Sequence, residues 1–233
     1  MVCIGQMKAV ILKTNSPKKP KNIRESKIKS QLRTTLGEKL YNGWDNNRTL
    51  YGYHSYNIDD INIEGQRNPK IRLSEFKKFV DFKGKNVLDF GCNVGSMIHH
   101  LPEINEGIGF DFDERCIKAA NNISEILNHN HNKFIVHDCD KESYDSLKEK
   151  ITFNPDIIFI LSLGSWIKSW EELYGMCLTY KNISIILEIN NEVEGKPQLD
   201  FFIKKGFNTQ LILDNSLDDC TGNNLRKTYL IKK

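Results

Sequence analysis

The chain has 233 residues, a formal net charge of +3 and 39% hydrophobic residues, enough for one full-sized core and too little for two. No stretch approaches the roughly 18 uncharged apolar residues of a membrane span, and the N-terminus lacks the apolar block and cleavage site of a signal peptide, so a cytoplasmic protein with no membrane partner is expected. Six scattered cysteines with no Cys-x-x-Cys pair, and His129 and His131 in a polar loop, predict neither disulfides nor a structural metal.

Residues 1–35 carry Lys8, Lys13, Lys18, Lys19, Lys21, Arg24, Lys27, Lys29 and Arg33 against the single acid Glu25. This composition predicts a basic, flexible extension able to attract phosphates, with one short strand at Met7 to Leu12. Residues 36–83 read as a cap on the substrate side: aromatic-rich turns to residue 70, then an amphipathic helix in which Ile71, Leu73, Phe76, Phe79 and Val80 recur at helical spacing.

From residue 84 to 233 strands and helices alternate. Strands are predicted at Asn86 to Phe90, Gly107 to Phe112, Phe134 to His137, Asp156 to Leu161 and Ile183 to Ile189, as apolar runs suited to burial on both faces. Helices are predicted at Gly95 to Leu101, at Glu114 to Leu127 with Asp113 as its cap, near 143–150 and 169–180, and at Pro197 to Lys205. The chain closes on strands near Thr209 to Leu213 and Lys227 to Ile231. The implied fold is α/β: a Rossmann-like, doubly wound, seven-stranded sheet, mostly parallel, with a C-terminal antiparallel hairpin.

The densest chemical signal is Val87-Leu88-Asp89-Phe90-Gly91-Cys92-Asn93-Val94-Gly95, a strand running into a glycine turn and then a helix. Glycine permits positive φ and close approach of a ligand, and Asn93 is the non-glycine residue type that best tolerates the left-handed region. Asp111 closes the next strand 22 residues after Asp89, the spacing at which such folds place an acid on two ribose hydroxyls. Asp138 follows the third strand, where a carboxylate can accept from an adenine amine beside the Cys139 N–H. All three acids are expected at the carboxyl edge of the sheet, where open α/β sheets bind ligands.

These segments resemble the class I S-adenosylmethionine-dependent methyltransferases over about residues 84 to 233. Leu88 to Gly95 is similar to that family's first motif, with Asn93 where a middle glycine is common; Gly109-Phe110-Asp111 is similar to the second and His137-Asp138-Cys139 to the third. The resemblance implies S-adenosylmethionine as cofactor, with Asp111 on ribose, Asp138 on adenine, Asp89 on the methionine part, and Gly91, Cys92, Asn93, Gly95, Phe112, Cys139 and Ser162 completing the pocket. A finer likeness links Tyr51-Gly52-Tyr53-His54 and Leu161 to Ile167 to RNA methylphosphate capping enzymes, and Tyr53 to Arg67 to relatives of tRNA wobble-uridine methyltransferases.

Methyl transfer from a sulfonium needs alignment more than a strong base. The candidate base is His54, walled by Tyr51, Tyr53 and Tyr56, and the substrate-side candidates are Tyr53, Arg67, Trp166, Glu188 and Asn190. The expected reaction is O-methylation of a small molecule or RNA. Two other classes share parts of this pattern: an NAD(P)-dependent oxidoreductase, disfavoured by Gly-x-x-x-Gly in place of Gly-x-Gly-x-x-Gly, and a non-catalytic nucleotide-binding module.

Overall fold

A computed structural model describes residues 22–35, 51–220, 222 and 225–233. The strand expected at Met7 to Leu12 lies outside the described residues.

The described part of the basic extension is a helix, α1 (Ile23–Thr35), and not a solvated tail. Its apolar stripe is only Ile28 and Leu32, one turn apart and both buried, which the surrounding lysines and arginines mask in the sequence. Arg24 pairs with Asp60 at 3.2 Å, and the Asn22 side chain donates to Asp60 O at 2.9 Å. These contacts bind α1 to a small hairpin of β1 (Tyr56–Ile58) and β2 (Ile61–Ile63), hidden among the expected turns because each strand has only three residues.

Helix α2 is Pro69–Phe76, starting where the Asn68 side chain accepts from the Lys70 and Ile71 N–H groups and proline fills the first turn. It ends before Phe79, and Ile71 and Phe79 are exposed; Leu73, Phe76 and Val80 are the residues that enter the core.

The main sheet contains β3 (Asn86–Phe90), β4 (Glu106–Asp111), β5 (Asn132–Val136), β6 (Ile157–Leu161), β7 (Ser184–Glu188), β8 (Asn208–Leu213) and β9 (Thr228–Lys232), in the order β5-β4-β3-β6-β7-β9-β8. Pairing is parallel from β5 through β7, and β9 runs antiparallel between β7 and β8. The order reverses between β3 and β6, since β3 leads outward to β4 and β5 before the chain crosses back. That reversal opens a crevice beyond the carboxyl ends of the strands.

Helices α3 (Ser96–His99) and α4 (Glu114–Leu127) join α2 on one face; α5 (Tyr144–Lys150), α6 (Trp170–Cys177) and α7 (Glu192–Lys204) cover the other. Asp113 caps α4 by accepting from the Arg115 N–H at 2.9 Å. Helix α7 begins five residues before Pro197, because Asn191 accepts from the Glu194 N–H and the proline sits inside the second turn.

Candidate functional site

The turn after β3 is folded around its neighbour strand. The Gly91 and Cys92 N–H groups both donate to Phe110 O, at 2.8 and 2.9 Å. Gly91, Asn93 and Gly95 all take positive φ, at 76°, 51° and 74°, so Asn93 adopts the left-handed conformation expected of it. A side chain on Gly95 has no room: its Cβ would stand 2.4 Å from the Phe134 ring.

Asp111 locks this turn to β4. One carboxylate oxygen accepts from the Asn93 N–H at 2.8 Å and the other from the Asp113 N–H at 3.0 Å. Burial pushes its carboxyl up, and these N–H groups oppose the shift. Asp89 has no such help. It is buried, no described protein group donates to its carboxylate, and burial together with the Asp111 charge holds its carboxyl well above the usual aspartate range. Asp138, the most exposed of the three, accepts from Lys141 at 2.8 Å and from the Asp140 N–H at 3.1 Å, which holds its carboxyl below the usual range.

All three acids line one cavity of about 620 Å³ at the β3/β6 reversal. Gly91, Cys92, Asn93, Cys139 and Ser162 line it too, and Phe112 and Trp166 stand at its mouth, 72% and 76% exposed. Phe112 lies one residue past β4 and not within it. Tyr53, His54 and Glu188 line the same cavity.

Three predicted site residues are placed elsewhere. Gly95 lies behind the turn against Phe134. Arg67 is fully buried and does not line the cavity: it forks onto Asp218 at 2.9 and 3.0 Å and reaches Glu188 at 3.3 Å. Asn190 stands behind Ser162 and Trp166, donating to Ser162 O at 2.9 Å and accepting from Trp166 Nε1 at 3.1 Å with its amide turned to satisfy both. Trp166 is therefore exposed yet held in orientation.

Two further expectations change. Tyr56 is no part of the substrate wall; it is buried beneath the glycine turn, its hydroxyl donating to Val94 O at 2.7 Å. His54 is 7% exposed, and burial, then the charge of Arg67, lowers it to about 3, so its imidazole is neutral at physiological pH and too weak a base for the role expected of it.

Arg226 was not legible as a site residue, since nothing but its place before the last strand marks it. It lines the cavity and donates to Ser162 Oγ at 3.1 Å and to the Tyr53 hydroxyl at 3.3 Å. Ser162, at φ 57°, donates its hydroxyl to Glu188 in a short hydrogen bond. Among the described residues no group of histidine, cysteine and acidic side chains is arranged to hold a metal, and no helix is long and apolar enough to cross a membrane.

No protein-family model matches the chain, and no curated protein matches it in sequence. Solved structures do resemble it. EvdMO1 is 11% identical with a TM-score of 0.60, over 89% of this chain and 47% of its own, so the chain spans about half that protein's length. A SAM-dependent methyltransferase from Aquifex aeolicus is 15% identical, TM-score 0.51, over 71% of this chain and 90% of its own. Streptococcus pneumoniae Sp1610, in complex with S-adenosyl-L-methionine, is 17% identical, TM-score 0.51, over 70% of this chain and 72% of its own. The chain has the Rossmann-like fold of S-adenosylmethionine-dependent methyltransferases.

Proposed function

We propose that the protein is an S-adenosylmethionine-dependent methyltransferase acting on an oxygen of a small molecule or RNA. The observation that carries this reading is the sharing of one cavity by Asp89, Asp111 and Asp138, with Asp89 buried and given no protein donor. A buried carboxylate in that state calls for a cationic or N–H-bearing ligand. The amino group of S-adenosylmethionine meets that need, and the positive-φ turn at Gly91 leaves the backbone open to close approach.

In this reading Asp111 accepts from the ribose hydroxyls, Asp138 and the Cys139 N–H meet the adenine edge, and Asp89 takes the amino group. S-adenosylmethionine supplies a methyl group already activated on a positively charged sulfur. The chain's own contribution is to align and to exclude water: Tyr53, Ser162 and Trp166 bound the side from which an acceptor enters. Isothermal titration with S-adenosylmethionine and with NAD tests the assignment. Heat with the first and none with the second is expected; the reverse pattern overturns it.

Asp89 gives a sharper prediction. Because its folded pKa is raised, its ionisation costs the fold nothing below the ordinary aspartate value of about 4 and progressively more as pH rises toward the folded value. Asp89→Asn removes that cost. The variant is expected to melt higher than the parent at pH 7, with the gap closing near pH 4, and to bind S-adenosylmethionine on the order of tenfold or more weakly. Thermal melts over this pH range, with and without the cofactor, read both effects. A variant that melts higher and still binds as tightly as the parent removes Asp89 from the site.

A further inference from the structure

We infer that Tyr56 is a positioning residue for the cofactor: through the Val94 carbonyl it holds the glycine turn in its binding shape, and so links docking of the N-terminal cap, α1 with the β1–β2 hairpin, to occupancy of the cavity. This rests on the methyltransferase reading above and names a regulation of the same site.

Tyr56 does not line the cavity. It lies under the turn, fully buried, in one directed chain of hydrogen bonds. Its single hydroxyl proton goes to Val94 O at 2.7 Å, so His99 Nδ1, at 3.2 Å, must be the donor to the Tyr56 oxygen. His99 Nε2 is then without a proton and accepts from the Ser124 hydroxyl at 3.0 Å. The chain runs from α4 through α3 and β1 to the turn, and Ser124, His99 and Tyr56 are all buried. A buried polar chain with every link made favours one geometry, because a shift strands a donor or acceptor away from water. The next hairpin residue is held by the next histidine: the Asn57 N–H donates to His100 Nε2 at 3.1 Å, while His100 Nδ1 donates to Ser96 O at 2.7 Å. Strand β1 therefore grips both the turn and the helix that follows it.

Val94 carries this grip to the ligand side. It stands between Asn93 and Gly95, at φ 51° and 74°, and precedes the first carbonyl taken into α3, that of Gly95, which accepts from the His99 N–H at 3.0 Å. Its side chain is buried in one cluster with Tyr56 and Ile63 of the hairpin and Ile28 and Leu32 of α1. Carbonyl and side chain are thus both held from below, while Gly91 and Asn93 line the cavity. The cap has little stability of its own, since a helix of 13 residues and a hairpin with three residues per strand are each marginal alone. Its two parts are joined by Arg24 and Asp60 and by the Asn62 N–H on Glu25 at 3.2 Å, and Gln31 and Asn122, at 2.7 Å, tie it to α4. An element stable only when docked, and docked against the turn, is coupled to whatever orders the turn, equally in both directions.

The test uses the full chain, Tyr56→Phe and Ile185→Val. Tyr56→Phe keeps the ring and removes only the hydroxyl; Ile185→Val removes one buried methylene on β7, which pairs with β6 and β9 and not with β3. Both variants are expected to melt a few degrees below the parent. Calorimetry with S-adenosylhomocysteine, well below melting, is expected to show affinity about tenfold weaker in Tyr56→Phe and unchanged in Ile185→Val. Hydrogen exchange read by mass spectrometry is expected to slow, when the parent is saturated with S-adenosylhomocysteine, in peptides covering 22–35 and 56–63, none of whose residues line the cavity. In saturated Tyr56→Phe the slowing there is expected to be far smaller. Unchanged affinity in Tyr56→Phe, or an equal loss in Ile185→Val, overturns the positioning role. Unchanged exchange at 22–35 and 56–63 in the parent overturns the link, and does so even if Tyr56→Phe does not fold. Failure of the parent to bind either S-adenosylmethionine or S-adenosylhomocysteine instead defeats the methyltransferase reading itself.

Discussion

Asp111→Asn is expected to weaken S-adenosylmethionine binding on the order of 100-fold while shifting the melting temperature by only a few degrees. Both Asp111 oxygens accept backbone N–H groups, from Asn93 and Asp113, so the carboxylate already spends part of its capacity on positioning the turn. An asparagine must aim its own NH₂ at one of those donors, which breaks that bond and loosens the turn. In the proposed reading it also removes the charge that strengthens hydrogen bonds to ribose hydroxyls, worth about 1.5–3 kcal/mol for a charged acceptor. The small change in stability follows because burial makes the ionised Asp111 a cost to the fold, and neutralising it offsets the lost turn bond. Asp138→Asn should weaken binding only several-fold, since Asp138 is about a quarter exposed and shares its charge with Lys141. Titration calorimetry on the two variants gives the ranking. Equal losses, or a larger loss at Asp138, would mean that Asp111 serves the turn and not the ligand.

The strand, glycine turn and acids were readable because each rests on local chemistry. A five-residue strand with Val87, Leu88 and Phe90 apolar, two glycines flanking an asparagine, and an acid closing the next strand are all visible within about 25 residues of chain. The bounds of α4 follow from the same locality, with its cap, its apolar face and the left-handed Asn128 at its end all adjacent in sequence. What failed to show depends on distant partners or on very little surface. Helix α1 is marked by two buried side chains among many charges, and β1 and β2 by three residues each. Proline favours first turns, which points to a helix start at Pro197, yet the Asn191 cap upstream decides the boundary. The arginine network gave no signal at all. Arg67 sits in a polar stretch, 121 residues from Glu188 and 151 from Asp218, and no periodicity links an arginine to carboxylates that only the closed sheet brings alongside.

That network carries the largest stability effect expected. Arg67 joins three parts of the chain: the segment leading into α2, the end of β7 and the loop between β8 and β9. Its guanidinium is fully buried, and Asp218 and Glu188 around it are nearly so. Removing Arg67 leaves the buried carboxylates of Glu188 and Asp218 to share the one guanidinium of Arg72, a positive charge short, so Arg67→Met is expected to destabilise the fold by about 3–5 kcal/mol. The pH dependence separates this cause from loss of packing. Burial pushes Asp218 up to about 6 despite the opposing charge and hydrogen bonds of Arg67. With a folded pKa above the unfolded value of about 4, Asp218 costs the parent stability as pH rises from 4 to 6, and the cost is level above that. Without Arg67 the folded pKa of Asp218 rises further, so the variant must go on losing stability above pH 6, where the parent no longer does. Urea unfolding at pH 5 and at pH 8 is therefore expected to give a clearly smaller deficit at the lower pH. A deficit equal at both values would assign the loss to the cavity left by the side chain. In that case Asp218→Asn in the Arg67→Met background would restore nothing, whereas charge burial requires it to recover a large part of the stability at pH 8.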